Sequence, residues 1–112
     1  MTYSAEEANG IVIVHLAGSI RAGDNALLEN FMHGIDLSAC RGVVLDLKGL
    51  EHLNSRAIGT IMALWKRAAA EAKRVVLTRP QPLVARLLGS VGLYNLLPAY
   101  PDVESACASF EE

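Results

Sequence analysis

Residues 42–59 read GVVLDLKGLEHLNSRAIG, and this stretch decides the predicted fold class. Its first part, Gly42 to Leu47, is an almost continuous apolar run rich in β-branched residues, which is typical of a strand covered on both faces. A helix is predicted to follow from about Arg56 to Lys73, because apolar residues recur there at helical spacing. The apolar stripe of this helix consists of Ile58, Ile61, Met62, Trp65, Ala68 and Ala72. The stretch therefore predicts a buried strand that leads into an amphipathic helix.

The chain before this stretch predicts a hairpin and a first helix. Asn9-Gly10 is a strong hairpin signal, because a type I′ turn needs positive φ at both central residues. The β-branched run Ile11 to Leu16 is predicted as a strand, and the more polar residues before the turn as an edge strand. Asp24 is expected to cap a helix that ends near Gly34. The apolar face of that helix would hold Leu27, Leu28, Phe31 and Ile35.

The chain after this stretch continues the alternation of strands and helices. A third β-branched strand is predicted at 74–78, a short helix after Pro80 and Pro82, a last short strand at Leu96-Leu97, and a helix from Asp102 through Phe110. Such alternation implies parallel pairing through right-handed crossovers. The predicted fold is therefore α/β: a single domain with a mostly parallel sheet, an antiparallel N-terminal hairpin strand and about four helices.

The composition indicates one globular domain. The chain has 112 residues, of which 52% are hydrophobic and 20% charged, and these values exclude a disordered protein. The formal net charge is -2, with ten Lys+Arg against twelve Asp+Glu. Because there is no basic excess to neutralise a row of phosphates, nucleic acid is not expected as a partner.

Other sequence features favour a cytoplasmic protein without cofactors. The longest charge-free stretch, Leu87 to Pro101, is shorter than a bilayer crossing and contains Gly and Pro, so no membrane span is predicted. Glu6 and Glu7 stand where a signal peptide would carry positive charge. Cys40 and Cys107 are far apart in the sequence and are expected to be reduced, partly buried thiols. No metal ion or other cofactor is expected.

The junction between the buried strand and its helix is the candidate binding region. In open α/β sheets, sites are usually built where a strand ends and the next helix begins. Asn54 or Ser55 would be the N-cap residue of this helix, beside free backbone N–H groups that suit an anion or a phosphate.

Several motifs along the chain resemble the STAS domain of bacterial anti-sigma factor antagonists. The stretch Asn54 to Gly59 is similar to the family's Asp-Ser-Ser/Thr-Gly-Leu-Gly helix start, and Val43 to Leu50 to its strand lead-in. Leu16 to Ile20 resembles the Gly-Glu-Leu element, and 82–93 resembles the late Arg-Leu-Leu and Gly-Leu pattern. The resemblance covers nearly the whole chain in element order.

This resemblance implies a non-enzymatic regulatory domain that binds a protein partner. In the family, the Ser after the Asp is phosphorylated by a partner serine kinase that is itself an anti-sigma factor, and the unphosphorylated form binds that kinase. By position, the phosphorylated residue here is Ser55. The partner would bind at a rim formed by 19–24 and 54–59. The candidate contact residues are Arg21, Asp24, Asn54, Ser55, Arg56, Ala57 and Gly59.

The sequence departs from the family pattern at positions that bear on this function. Asn54 replaces the Asp, Arg56 the next Ser/Thr, Ala57 the Gly, and Arg21 matches an acidic residue. A positive charge in the first helical turn opposes the helix dipole by about 0.3–1 kcal/mol. Arg56 is therefore interpreted either as pairing with a phosphate or a partner carboxylate, or as the mark of a divergent copy that is not phosphorylated.

Two alternatives remain open from the sequence. One is an unphosphorylated STAS scaffold subunit of a stressosome-like or lipid-transport ATPase complex, which Asn54, Arg56 and Arg21 favour. The other is a small enzyme, with His52 as a base, or a ligand-binding domain, although the sequence offers no set of nucleophile, base and orienting group. Gly59 can also be explained by close packing of the helix on the sheet. No particular oligomeric state is predicted.

Overall fold

The computed structural model describes residues 1–111, which form a five-stranded sheet in the order of the chain. The strands are β1 (Thr2–Ala8), β2 (Ile11–Ser19), β3 (Gly42–His52), β4 (Arg74–Thr78) and β5 (Ala99–Tyr100). β1 pairs with β2 in antiparallel fashion, and all other pairs are parallel. The predicted α/β fold with an antiparallel hairpin strand is confirmed.

Four α-helices connect and follow the strands within the described residues: α1 (Asn25–His33), α2 (Ser55–Ala70), α3 (Pro82–Ser90) and α4 (Val103–Ala108). Their termini follow from capping chemistry. Pro82 occupies the first position of α3, where a missing N–H costs nothing, and Gly34 is the C-cap of α1. The Asp102 side chain accepts the N–H of Ser105 at 2.6 Å and so caps α4 as predicted.

The sheet has a core on each face, because successive strand residues point to opposite sides. The larger core joins Val14, Leu45 and Leu77 of the strands to side chains of α1, α2 and α3. The smaller core joins Val44 and its neighbours to α4. α1 also packs against α2 on the side of the larger core. This arrangement leaves the β3–α2 junction at one end of the sheet.

Strand β3 is longer than the sequence indicated. It continues past Leu47 to His52, because the later residues still pair with β2 after a shift of register. Pairs such as Ala17 with Gly49 need a small residue, since a Cβ at Gly49 would lie 2.9 Å from the Ala17 Cβ. The predicted end at Leu47 was wrong because polar residues in 48–52 hid this backbone pairing.

Helix α2 begins one residue before the predicted Arg56 and ends at Ala70 rather than Lys73. Ala72 has a positive φ of 56°, and the N–H of Lys73 returns to the Ala68 carbonyl at 2.8 Å. The chain thus reverses within the segment predicted as the last turn, and Ala72 is exposed instead of extending the apolar stripe.

The predicted strand at Leu96-Leu97 was wrong. The N–H of Leu97 bonds to the carbonyl of Leu93 at 3.0 Å, in a turn that buries both side chains in the larger core. β5 begins only after Pro98, whose carbonyl accepts the N–H of Leu77 at 2.9 Å. Leu97 therefore belongs to a helical turn that begins at Leu93, and not to a strand.

The start of α1 also differs from the prediction. Ala22–Asp24 form a 3-10 turn, and Asp24 precedes α1 without capping it through its side chain. Its carboxylate instead accepts the N–H of Arg21 at 2.9 Å. Leu27, which was assigned to the apolar face, is 44% exposed, whereas Leu28 is fully buried.

Candidate functional site

Ser55 is the first residue of α2, and it is exposed. Asn54 is the N-cap residue, and its Oδ1 accepts the N–H of Ala57 at 2.8 Å. The sequence left open whether Asn54 or Ser55 is the N-cap residue. In the structure Asn54 caps the helix, and Ser55 is its first residue. The hydroxyl of Ser55 lies at the positive end of the helix dipole, in a position that a macromolecule can reach.

The second half of the predicted rim lies beside this helix start. The N–H of Ile20 donates to the carbonyl of His52 at 2.9 Å, which extends the β2–β3 ladder to the ends of both strands. Arg21 follows immediately and is exposed, while Asp24 is half-buried. The amino terminus of Met1 lies 4.0 Å from Asp24 Oδ2. Adjacent strands thus deliver both halves of the rim to one end of the sheet.

Arg56 pairs with Glu29 of α1. Arg56 Nε donates to Glu29 Oε1 at 2.7 Å, and Nη2 donates to Oε2 at 3.2 Å. The hydrogen bond from Arg56 lowers the pKa of Glu29 below its ordinary value, and the same pair raises the pKa of Arg56. Arg56 was interpreted as pairing with a phosphate or a partner carboxylate, or as the mark of a divergent copy; in the structure it pairs with a carboxylate of its own chain, while its side chain stays 62% exposed.

Ala57 and Gly59 lie on opposite sides of α2. Ala57 is fully buried in the larger core, so its side chain is not available to a partner and its assignment as a contact residue is corrected. Gly59 is exposed, and a Cβ built there would have no heavy atom within 4 Å. Close packing of the helix on the sheet therefore does not explain Gly59, and this interpretation of the sequence was wrong.

Gly59 opens onto a groove between α1 and α2. The groove has a volume of about 370 Å³ and is lined by residues of both helices. Glu29 and Arg56 line the groove as an ion pair. Arg67, which also lines it, donates to the carbonyls of Met32 and Ile35 at 3.0 and 3.1 Å. The exposed first turns of α2 thus continue from Ser55 into a concave surface.

A polar cluster centred on Asp46 was not predicted from the sequence. This buried carboxylate accepts bonds from His15 Nδ1 at 2.7 Å and from Arg79 Nη2 at 2.8 Å through Oδ2. Its Oδ1 accepts the N–H of Lys48 at 3.2 Å and the hydroxyl of Thr78 at 3.3 Å. A single Asp within the apolar run 42–47 was the available signal, since a buried charge needs partners.

Burial raises the pKa of Asp46, but Arg79, the N–H of Lys48 and His15 together outweigh burial and hold this pKa below its ordinary value. Arg79 reaches the carboxylate from a backbone with a positive φ of 54°. The cluster joins the middle of β2 and of β3, at His15 and Asp46, to the end of β4, where Arg79 follows Thr78. The cluster has a structural role, because hydrogen-bond donors enclose the carboxylate of Asp46 and it does not face solvent.

Other groups bear on what the site can do. His52 is exposed at the end of β3. Cys40 is buried and Cys107 is partly buried, both are free thiols, and burial raises the pKa of each. Residues 1–111 contain no cluster of three or more His, Cys, Asp or Glu side chains suited to a metal ion. No helix in this part of the chain is long and apolar enough to cross a membrane.

Comparisons with known proteins agree with this architecture. The chain is 27% identical over 107 residues to an anti-sigma F factor antagonist of Paenibacillus polymyxa, which covers 95% of this chain and 92% of that protein. It superposes on the crystal structure of an anti-sigma factor antagonist from Mycobacterium paratuberculosis with a TM-score of 0.89, at 22% identity, covering 99% of this chain and 94% of that one.

A third match is the phosphorylated form of the Bacillus cell fate determinant SpoIIAA. Its TM-score is 0.75 at 16% identity, and the match covers 96% of this chain and 99% of that one. At these identities the structural matches establish a shared fold. The family model of the STAS domain matches residues 2–106, and the chain therefore belongs to the STAS domain family.

Proposed function

We propose that this protein is an anti-sigma factor antagonist that binds a serine-kinase anti-sigma factor in the cytoplasm and is switched by phosphorylation of Ser55. The observation that carries the proposal is the exposed Ser55 at the first position of α2. The docking rim consists of Arg21 and Asp24 on one side and Asn54, Arg56 and Gly59 on the other. The anti-sigma F factor antagonist that this chain resembles over 95% of its length supports the regulatory role.

The position of Ser55 determines what a phosphate would do. A phosphate adds about −1.5 to −2 charges at neutral pH. At the start of a helix this charge meets the positive end of the dipole and free backbone N–H groups, so the helix is not expected to melt. The phosphate acts instead on the docking surface, through repulsion and the cost of desolvating it against the kinase.

Arg56 is compatible with this switch. Its charge would oppose the helix dipole, but Glu29 holds the guanidinium in a two-bond ion pair. Asn54 likewise keeps the capping bond that an Asp would make. Asn54 and Arg56 therefore retain the local geometry around Ser55, although they change the charge that surrounds it.

The decisive experiment incubates the protein with the serine-kinase anti-sigma factor of the same organism and ATP, and measures intact mass. Wild type should gain one phosphate, and Ser55→Ala should gain none. Ser90→Ala is the matched control, because Ser90 is an exposed serine at the end of α3 and its loss should not change the result.

Kinase binding supplies the second measurement. Ser55→Asp should weaken binding in a titration, while Ser55→Ala should bind as wild type does. No added phosphate together with unchanged binding by Ser55→Asp would overturn the switch. That result would favour the unphosphorylated scaffold, whose partner can be identified by co-purification from native cells.

A further inference from the structure

The outer edge of β1 is a long, open strand edge. β1 is the first strand of the sheet, all of its residues from Thr2 to Ala8 are exposed, and no strand within residues 1–111 pairs with its outer side. Its sequence, TYSAEEA, contains no Pro or Lys, its charged residues are Glu6 and Glu7, and its register with β2 is unbroken. Proteins often protect such edges with Pro, with Lys or other charged residues, or with bulges, because an open edge can pair with another chain.

The opposite edge of the sheet cannot complement β1. β5 contains only Ala99 and Tyr100. Pairing of β1 with β5 of another molecule would therefore be short, and it would leave a free β1 at the end of every assembly. Pairing of β1 with itself closes at two copies, because the same surface is used on both sides.

The hairpin turn determines which backbone groups point outward. Asn9 and Gly10 have φ angles of 53° and 81°, and Ala8 pairs with Ile11, as in a two-residue type I′ turn. In that turn the flanking pair is hydrogen-bonded, and bonded pairs alternate along the strand. The residues of β1 whose N–H and C=O groups point away from β2 are thus Tyr3, Ala5 and Glu7.

A two-fold axis at Ala5 uses these outward groups in one register. Ala5 then faces Ala5 of the second copy and Tyr3 faces Glu7, and each facing pair exchanges both backbone hydrogen bonds. Ser4 faces Glu6 in the pair between them. No carboxylate lies directly opposite another carboxylate, and each glutamate faces a hydroxyl-bearing side chain, so the charges fit this register.

Apolar side chains flank the same edge. Tyr3 is 38% exposed, and its ring lies 4.4 Å from the ring of Phe31 on α1. Leu27, which is 44% exposed, lies one helical turn before Phe31 on the same face of α1. Tyr3 and Leu27 are two of the four large hydrophobic side chains that are exposed in the described chain, together with Leu83 and Val91.

We propose that two copies of this protein associate through antiparallel pairing of their β1 strands about Ala5, which joins two five-stranded sheets into one continuous sheet. The second copy covers the open edge, and Tyr3 and Leu27 of each molecule lie beside the new junction. The proposal uses β1 and does not depend on phosphorylation of Ser55.

Sedimentation velocity over a wide range of protein concentration tests the dimer. Wild type should move toward twice the 12.0 kDa mass of the chain as its concentration rises. Ala5→Pro should remain a monomer, because proline removes an outward N–H without breaking a bond to β2. Its circular dichroism spectrum should match wild type, which separates loss of pairing from loss of folding.

Charge variants test the register. Tyr3→Lys places a positive charge opposite Glu7 of the second copy, whereas Tyr3→Glu places a negative one there, and both lose the same contact with Phe31. Tyr3→Lys should dimerise at least tenfold more tightly than Tyr3→Glu. The matched pair Ala69→Lys and Ala69→Glu makes the same change of net charge at an exposed position of α2 and should show no such difference.

The proposal is overturned if wild type sediments as a monomer throughout, or if Ala5→Pro still dimerises while folded. Equal dimerisation of the two Tyr3 variants would overturn the register about Ala5.

Discussion

His15 Nδ1 lies 2.7 Å from Asp46 Oδ2, and this contact joins β2 to β3 inside the polar cluster. Arg79 completes the arrangement from the end of β4, with Nη2 2.8 Å from the same oxygen. A carboxylate that is 5% exposed thus holds three neighbouring parallel strands together. The candidate site follows the carboxyl ends of β2 and β3, so the stability of the junction between these strands is the first property to test.

Asp46→Asn should destabilise the protein by about 3 kcal/mol, because breaking a buried ion pair leaves its partners uncompensated. Arg79 would lose its carboxylate and would still have a backbone with positive φ. Urea unfolding followed by circular dichroism measures the change. Glu51→Gln removes a charge from an exposed residue at the same end of β3 and should change stability by less than about 0.5 kcal/mol. Equal effects of the two substitutions would contradict the role of Asp46.

The pH dependence of stability should also involve Asp46. Its pKa in the folded protein is below the ordinary value of about 3.9 for an unfolded chain, so the folded state favours the charged carboxylate. The resulting stabilisation is present above this ordinary value and is lost as pH falls through it toward the folded pKa. Wild type should therefore lose more unfolding free energy than Asp46→Asn when the pH is lowered from neutral into this acid range. Parallel curves would show that Asp46 does not contribute.

Gly59→Ala should stabilise the fold by about 0.8–1 kcal/mol, because glycine is a poor helix former and the added Cβ meets no neighbouring atom. The same substitution should weaken kinase binding if the groove beside Gly59 is part of the docking surface. Thermal unfolding and a binding titration measure the two effects separately.

Gly42→Ala is the control for this substitution. A Cβ at Gly42 would lie 2.7 Å from the Arg74 carbonyl and against the Phe110 ring, so this variant should be destabilised. A Gly59→Ala protein that is more stable and still binds the kinase normally would remove Gly59 from the docking surface.

Asn54→Ala should reduce stability by about 1 kcal/mol, since the N–H of Ala57 would lose its capping acceptor. Asn54→Asp should keep the cap and add a negative charge at the positive end of the helix, so its stability should equal or exceed that of wild type. Chemical denaturation of both variants measures this difference. A destabilised Asn54→Asp protein would contradict the expected benefit of a negative charge at the start of α2.

The order of the elements could be predicted from the sequence because it depends on local patterns. The β-branched runs, the Asn9-Gly10 turn and the capping residues Asn54 and Asp102 all act within a few residues of their own positions. The same locality explains the errors. The continuation of β3 to His52 depends on pairing with β2, which no short-range pattern of 48–52 reveals.

The contacts within the site were less predictable because they join distant parts of the chain. Glu29 and Arg56 are 27 positions apart, and Asp46 and Arg79 are 33 apart. Periodicity can assign each residue to a helix or a strand end, but it does not say which charges meet. The openness around Gly59 likewise depends on how α1 lies against α2.

The hydrogen bond between the Ile20 N–H and the His52 carbonyl has a consequence for recognition. Both halves of the rim leave the sheet from the same ladder, and Asn54 fixes the helix start only two residues after His52. The surface is therefore preformed, and little backbone entropy remains to be lost when a kinase docks. Association should resemble the meeting of two rigid bodies, with speed and lifetime governed by charge and fit rather than by folding of a loop.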